Sequence, residues 1–184
     1  MQKDLSAMTR AQLGRLFPIR ICPYDPAWPQ LFYAESQKLA RAAGRENVAG
    51  IEHIGSTAVP GLSAKPVVDI LMMVKKNTDL RALRQNLEKA GYAFSAQPDR
   101  PAPHMMFMKG YGPAGYTGQA YHLHIRYPGR QDETVFRDRL RAHPKEAAAY
   151  ARLKAALAAK YRFDRDGYTR AKTAFIRGLL AQEE

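Results

Sequence analysis

Cysteine is nearly absent: Cys22 stands alone in 184 residues. A single thiol closes no intramolecular disulfide and builds no thiolate metal cluster, which excludes a disulfide-stapled scaffold and a zinc ribbon. As a nucleophile Cys22 is a weak candidate, and a small packed residue ahead of Pro23 is the plainer reading. Long apolar runs are missing as well. No stretch reaches the roughly 18 uninterrupted apolar residues of a membrane span, and Asp4, Arg10 and Arg15 interrupt the N-terminus where a signal peptide would carry its apolar block. A soluble, cytoplasmic protein with no membrane partner is expected. Acidic residues are also scarce, since 17 Asp and Glu face 29 Lys and Arg, leaving a net charge of +12. That balance points to a polyanionic partner: a nucleotide, RNA, a phosphorylated coenzyme or an acidic surface, among which composition does not choose. Much of the excess falls late in the chain, including Arg126, Arg137, Arg141, Lys154, Arg165 and Lys172. These residues recur through helical patterns rather than in one block, so they read as solvated helix faces first and as a groove second.

What is present, 46 % hydrophobic residues in a chain of this length, is enough to bury a sizeable core. One compact domain over residues 1–184 is expected, with a core over about 20–127 and a helical part over 128–184. The first eighteen residues read as a short helix or a frayed end. Asp25-Pro26 has the form of an N-cap followed by Pro at the first helical position, and Trp28, Leu31, Phe32, Glu35, Leu39 and Ala42 follow at helical spacing. Residues 51–55 and 67–74 read as strands, the second buried on both faces. Leu80, Leu83, Leu87 and Ala90 mark another amphipathic helix, closed by Gly91. Strand-like runs follow at 92–95, 104–109 and 120–127. The intervening 110–118 carries too much glycine for regular structure, which makes it either a mobile flap or a plain hairpin connection. From Asp132 onward the pattern is helical, with Pro144 opening one helix and Tyr168, Ala171, Phe175 and Leu179 marking the buried stripe of the last. The fold class is therefore α/β (α+β), a mixed or antiparallel sheet followed by a helical C-terminal third.

Two clusters carry chemistry. In the first, a strand ends in Gly55-Ser56-Thr57. Glycine lets the backbone approach a ligand closely, and hydroxyls with free N–H groups at a following helix start can hold phosphate oxygens. Lys65 adds a mobile positive charge. Asp69 lies inside a run of Val, Ile, Leu and Met, where an unpaired carboxylate is costly to bury, so a divalent cation, a basic side chain or solvent at the bottom of a cleft must meet it. In the second cluster, Tyr121-His122-Leu123-His124-Ile125, alternation on a strand sends both imidazoles to one face, where they can bind one metal or act on one phosphate. Glu52 and His53 are lesser candidates because adjacent strand positions face opposite ways. His104 and His143 have plainer roles.

The run from Glu52 to Ile70, containing His53-Ile54-Gly55-Ser56-Thr57 and Lys65-Pro66-Val67-Val68-Asp69, is similar to the signature of the GrpB family, an uncharacterised family of the nucleotidyltransferase superfamily. His122-Leu123-His124 resembles its second signature, and Phe136 to Pro144 with Tyr150 and Lys154 its third. Tyr24, Trp28, Phe32 and Glu35 resemble its first helix, and Tyr168, Lys172 and Phe175-Ile176 its end. The resemblance implies a nucleotidyltransferase-like mixed sheet flanked by helices, with a Gly-Ser turn that holds a triphosphate and carboxylates that hold Mg²⁺. The chain departs from the superfamily pattern at Asp69, which has Val67 and Leu71 where a second acid usually stands. His122 or His124 takes the third acidic position. A set of Asp69, His122 and His124 suits Mn²⁺ or Zn²⁺ better than Mg²⁺. The expected activity is metal-dependent transfer of a nucleotidyl or related phosphoryl group to an unidentified acceptor. Asp69, His122 and His124 would then be catalytic and metal-ligating residues, and Gly55, Ser56, Thr57 and Lys65 would bind the ligand. The alternative is a non-catalytic module that binds a nucleotide, a coenzyme or RNA.

Overall fold

The computed structural model describes residues 5–97, 100 and 102–182. Residues 1–4 of the expected N-terminal segment lie outside them. A short helix, α1 (Arg10–Leu16), is opened by a capping box in which the Thr9 hydroxyl accepts from the Gln12 amide while the Gln12 side chain accepts from the Thr9 amide. Helix α2 (Trp28–Ala43) begins later than the Asp25-Pro26 pair suggests. Asp25 instead closes a turn, its carboxylate accepting from the Ala27 N–H and its carbonyl from the Trp28 N–H, and Pro29 occupies the first helical turn. Helix α3 (Leu80–Lys89) is capped by Asp79, whose Oδ1 accepts from the Arg81 and Ala82 amides, and is followed by Gly91 at a φ of +87°.

Five strands form one mixed sheet: β1 (Val48–Ile54), β2 (Val67–Val74), β3 (Ala93–Ser95), β4 (Met105–Gly112) and β5 (Gly115–Arg126). Their spatial order is β1-β2-β5-β4-β3, with β2 and β5 parallel and every other neighbouring pair antiparallel. Of the two readings of 110–118, the structure has the hairpin connection and not the flap. Strands β4 and β5 run almost to their junction, where Tyr111 pairs with Tyr116 and Gly112 with Gly115. Gly110 permits this. Its φ is +88° at a register shift, and a Cβ there would stand 2.4 Å from the Gln119 carbonyl oxygen. The glycines thus build a bulged hairpin rather than breaking it.

Alternation divides the sheet into two faces. Val68, Ile70, Met72 and Val74 of β2, with Leu123 and Ile125 of β5 and Phe107 of β4, pack with Leu39 of α2 and Leu83 and Leu87 of α3. Each such buried aliphatic side chain contributes about 1.5–3 kcal/mol, so this face fixes the register of β2 and β5. A shift of one residue would turn Asp69 into the core. The other face is covered by α4 (Asp132–Ala142), α5 (Pro144–Lys160) and α6 (Arg165–Leu180), which share a second apolar cluster of Val59, Leu62, Leu140, Tyr150 and Leu179. A deep cleft of about 730 Å³ opens between these helices and the sheet. Among the described residues no helix is long and apolar enough to cross a membrane.

Candidate functional site

Parallel pairing places Asp69 beside His122 and Leu71 beside His124, so three polar side chains project from neighbouring strands to the helix-covered face. His122 Nδ1 lies 3.1 Å from Asp69 Oδ1, and His124 Nε2 lies 4.0 Å from the same oxygen. Burial acts to raise the Asp69 pKa, but the His122 hydrogen bond and the neighbouring His124 and Lys65 outweigh it and hold the carboxyl below its usual value. Asp69 is therefore ionised at neutral pH and can only accept, which fixes the His122 tautomer. Nδ1–H donates to Asp69 and Nε2 is left as an acceptor, filled by the Tyr111 hydroxyl at 2.7 Å. The Tyr111 and His122 rings lie nearly parallel, with centroids 5.8 Å apart. Burial lowers the pKa of His124 against the opposing pull of Asp69.

Gly55 sets the position of Asp69. It has φ +72° and ψ −170°, a conformation that L side chains avoid, and a Cβ would meet Asp69 Oδ2 at 2.5 Å. The expected helix start after Gly55-Ser56-Thr57 is instead a single 3-10 turn, Ser56–Ala58, because Pro60-Gly61 follows before a longer helix can form. Any phosphate contact there would come from the turn itself and from Ser56. Thr57 is turned inward, with its hydroxyl 3.0 Å from His53 Nε2. His53 belongs to the opposite face. It stacks on Phe32 at 4.8 Å, and burial, with the nearby Arg141 and Arg137, pushes its pKa down to about 4 against the opposing pull of Asp69. Glu52 faces the helices but is occupied by Arg137, whose Nη1 donates to it at 2.7 Å and to the His53 carbonyl at 2.9 Å. His143 joins α4 to α5 through a hydrogen bond between its Nδ1 and the Arg139 carbonyl. Cys22 donates its S–H to the Ala64 carbonyl, and burial raises its pKa, which suits a packing residue.

The cleft wall carries residues that sequence reasoning did not assign to the site. Lys154 of α5 and Arg165 and Lys172 of α6 line the same cleft as Gly55, Ser56, Lys65, Asp69, His122 and His124. Among the described residues, none of Lys65, Lys154, Arg165 and Lys172 forms an ion pair. Two of the acids lining the cleft are engaged elsewhere, Glu133 with Arg126 at 3.1 Å and Asp166 with Arg10 at 2.7 Å. Lys65 and Lys172 lie over the ring of Tyr168, at 5.5 and 4.5 Å from its centroid, and Lys154 donates to the Ser63 carbonyl. Burial, followed by mutual repulsion among these cations, brings Lys65 down to about 8 and Lys154 to about 7. Burial also lowers Lys172. A sequence signal for the wall does exist. Tyr150-Lys154 and Tyr168-Lys172 share an i, i+4 spacing that sets an aromatic ring and an ammonium on one helix face.

The donor set is a poor match to Mg²⁺. A hard cation such as Mg²⁺ takes oxygen ligands in near-octahedral geometry, whereas both His122 nitrogens already have partners and Asp69 has no neighbouring acid on β2. Among the described residues no group of three or more His, Cys, Asp or Glu is arranged to hold a metal. Asp69, His122 and His124 do come together, with His122 hydrogen-bonded to Asp69 and His124 4.0 Å from the same oxygen, beside a set of lysines.

The architecture is thus a mixed-sheet α/β fold whose helices close a cationic cleft over one sheet face. The chain belongs to the GrpB family: the family model described as GrpB protein matches residues 18–182. A UPF0157 protein of Pseudomonas aeruginosa is 42 % identical over 165 residues, covering 89 % of this chain and 67 % of the relative. The crystal structure of the conserved protein GrpB from Enterococcus faecalis superposes with a TM-score of 0.77 at 30 % identity, over 89 % of this chain and 96 % of that one. A poly(U) polymerase with bound Mg 3′-dATP aligns far more remotely, at a TM-score of 0.45 and 12 % identity over 75 % of this chain and 40 % of its own.

Proposed function

We propose that the cleft binds the phosphates of a nucleotide or another phosphorylated small molecule, and that the protein transfers a nucleotidyl or related phosphoryl group from it to an acceptor. One observation carries this reading: four cations without ion-pair partners among the described residues, Lys65, Lys154, Arg165 and Lys172, surround the Asp69–His122 pair in one cleft. Buried like charges repel one another, and a polyphosphate relieves that cost while a neutral ligand does not. His122, with Nδ1–H held by Asp69, is oriented to take a proton at Nε2 once Tyr111 yields the position, and Asp69 then stabilises the imidazolium. Phosphoryl chemistry depends chiefly on positioning and charge, both of which these residues supply.

A second reading, nucleotide binding without turnover, draws on the lack of a second acid on β2 beside Asp69. The two are separated by following thermal stability and pyrophosphate release together, with nucleoside triphosphates presented in Mg²⁺, Mn²⁺ or Zn²⁺. Under the proposal, at least one triphosphate stabilises the protein by about 1–3 kcal/mol at concentrations well above its dissociation constant, and pyrophosphate is released. In Asp69→Asn the amide oxygen still accepts from His122 Nδ1–H, so the fold is retained within about 2 kcal/mol while release falls at least about a hundredfold. Stabilisation with no release by the wild type favours the sensing role. If no nucleotide, coenzyme or phosphorylated sugar stabilises the protein under any of these metals, phosphate binding in the cleft is ruled out.

A further inference from the structure

A second cavity, of about 640 Å³, lies on the other side of Met108, Arg165 and Asp166, which line both it and the cleft. Its walls come from parts of the chain distant in sequence: Leu13 and Phe17 around α1, Phe94 of β3, Tyr111 of β4, and Phe163 between α5 and α6. Their character is mainly apolar and aromatic. Three large hydrophobic side chains are exposed among the described residues, Tyr33, Tyr116 and Phe163. Two of them stand at this cavity. Phe163 lines it, and Tyr116 packs on Phe17 and Tyr111 with centroids 5.1 and 5.3 Å apart. Exposed aromatic rings gathered around one concavity of this size mark a small-molecule site better than they mark a random surface.

Tyr111 joins the two cavities. Its ring lines the apolar one, packed edge-on against Phe17 at 5.0 Å, while its hydroxyl reaches His122 Nε2 at 2.7 Å. The chain therefore already presents a phenol in this orientation, with the ring among aromatic side chains and the oxygen on the base. Arg165 forms the shared wall, with its guanidinium 5.7 Å from the Tyr111 ring centroid and a hydrogen bond to the Phe17 carbonyl.

We propose that the apolar cavity is the acceptor subsite, and that it takes a small molecule with an aromatic or apolar body and a hydroxyl head, which replaces the Tyr111 hydroxyl at His122. The assignment of the acceptor role rests on the phosphate-transfer reading of the cleft. In the transfer, the acceptor oxygen forms a bond to the α-phosphorus of the nucleotide as the bond from that phosphorus to pyrophosphate breaks. The electron pair leaves with pyrophosphate, and the hydroxyl proton passes to His122 Nε2. Admission of the acceptor requires the Tyr111 ring, packed against Phe17, Tyr116 and His122, to leave this position.

The test uses 2-naphthol as a fluorescent probe with the whole chain, and 2-methoxynaphthalene as its counterpart without a donor. Ala11 and Ala93 both line the cavity and are exposed, so Ala11→Trp and Ala93→Trp fill it from outside the core. Wild type is expected to bind 2-naphthol saturably and 2-methoxynaphthalene more weakly. Each Trp variant, shown to be folded by circular dichroism, should lose at least about tenfold in 2-naphthol affinity while keeping its thermal response to ATP. ATP and 2-naphthol should bind together. No saturable binding by wild type, or undiminished binding by both folded variants, overturns the cavity as a ligand site, and mutual exclusion of ATP and 2-naphthol overturns its acceptor role. Failure of the cleft reading has a different signature: 2-naphthol binding remains sensitive to the Trp variants, but no nucleotide, coenzyme or phosphorylated sugar produces a thermal response even in wild type.

Discussion

At the scale of single residues, the site depends on a missing side chain as much as on those present. Gly55 combines a left-handed φ with a 2.5 Å approach of its imaginary Cβ to Asp69 Oδ2, so two penalties fall on one substitution. Gly55→Ala should cost about 1–3 kcal/mol in urea unfolding from backbone strain, and it should also displace the carboxylate from His122. Loss of stability with unimpaired pyrophosphate release would show that Asp69 needs no such placement. His53 illustrates the opposite case, an imidazole with a local role. Its pKa of about 4 lies below the usual value of 6.5, so the unfolded chain binds the additional proton between those limits. The stability contributed by neutral His53 is complete above pH 6.5 and is lost as pH falls toward 4. A His53→Gln variant should show a shallower decline in melting temperature over that interval than wild type.

At the scale of elements, α5 and α6 act as the cationic lid of the sheet, and their lysines give the cleft a pH signature. Lys65 and Lys154 titrate at about 8 and about 7 when folded but near 10.5 when unfolded, so the unfolded chain binds more protons between those limits. Free protein should therefore gain stability from these groups as pH rises from 7 toward 10.5, while bound polyphosphate favours their protonated forms and reverses the trend. The thermal response to ATP should be largest near pH 6.5 and shrink by pH 9.5. Lys65→Met should raise the melting temperature of the free protein at pH 7 and weaken its ATP response. An ATP response independent of pH across this range contradicts a role for the lysines. Much of this scale was legible in advance. Val67–Val74 stands out as a strand because Val, Ile, Leu and Met run unbroken except at Asp69, and Pro144 marks the start of α5. Around Gly112 local sequence leaves a flap and a hairpin connection equally open. Glycine content signals loop, whereas the bulge at Gly110 and the close approach of Gln119 depend on a partner strand that local sequence does not reveal. Tyr111 was hidden for the same reason, being read as part of that loop. The helical period sets Lys154 and Lys172 one turn from Tyr150 and Tyr168 but does not tell a cation that lines a cleft from one on a solvated face.

At the scale of the whole molecule, the net charge of +12 is divided between inward and outward tasks. Arg137 and Arg139 are largely buried and tied to Glu52, Asp138 and Glu146, whereas Arg141 stays exposed while donating to the Ala58 carbonyl. Exposed cations such as Arg130, Lys145, Arg152 and Arg170 are spread over the turn before α4, helix α5 and helix α6. RNA should accordingly bind weakly, with affinity falling steeply between about 50 and 200 mM salt and matched by heparin. Tight RNA binding that survives 200 mM salt would require a contiguous surface that this distribution does not provide. The strand order has a further consequence, in time rather than in space. Strands β4 and β5 are joined by the two residues Pro113 and Ala114, so their pairing closes a short loop, whereas Asp69 and His122 are brought together across 53 positions. Loop closure of that length costs more entropy and makes the parallel β2–β5 seam the slower event. During refolding from urea, far-ultraviolet circular dichroism should therefore recover ahead of the capacity to bind ATP, because the seam that completes the sheet also assembles the site.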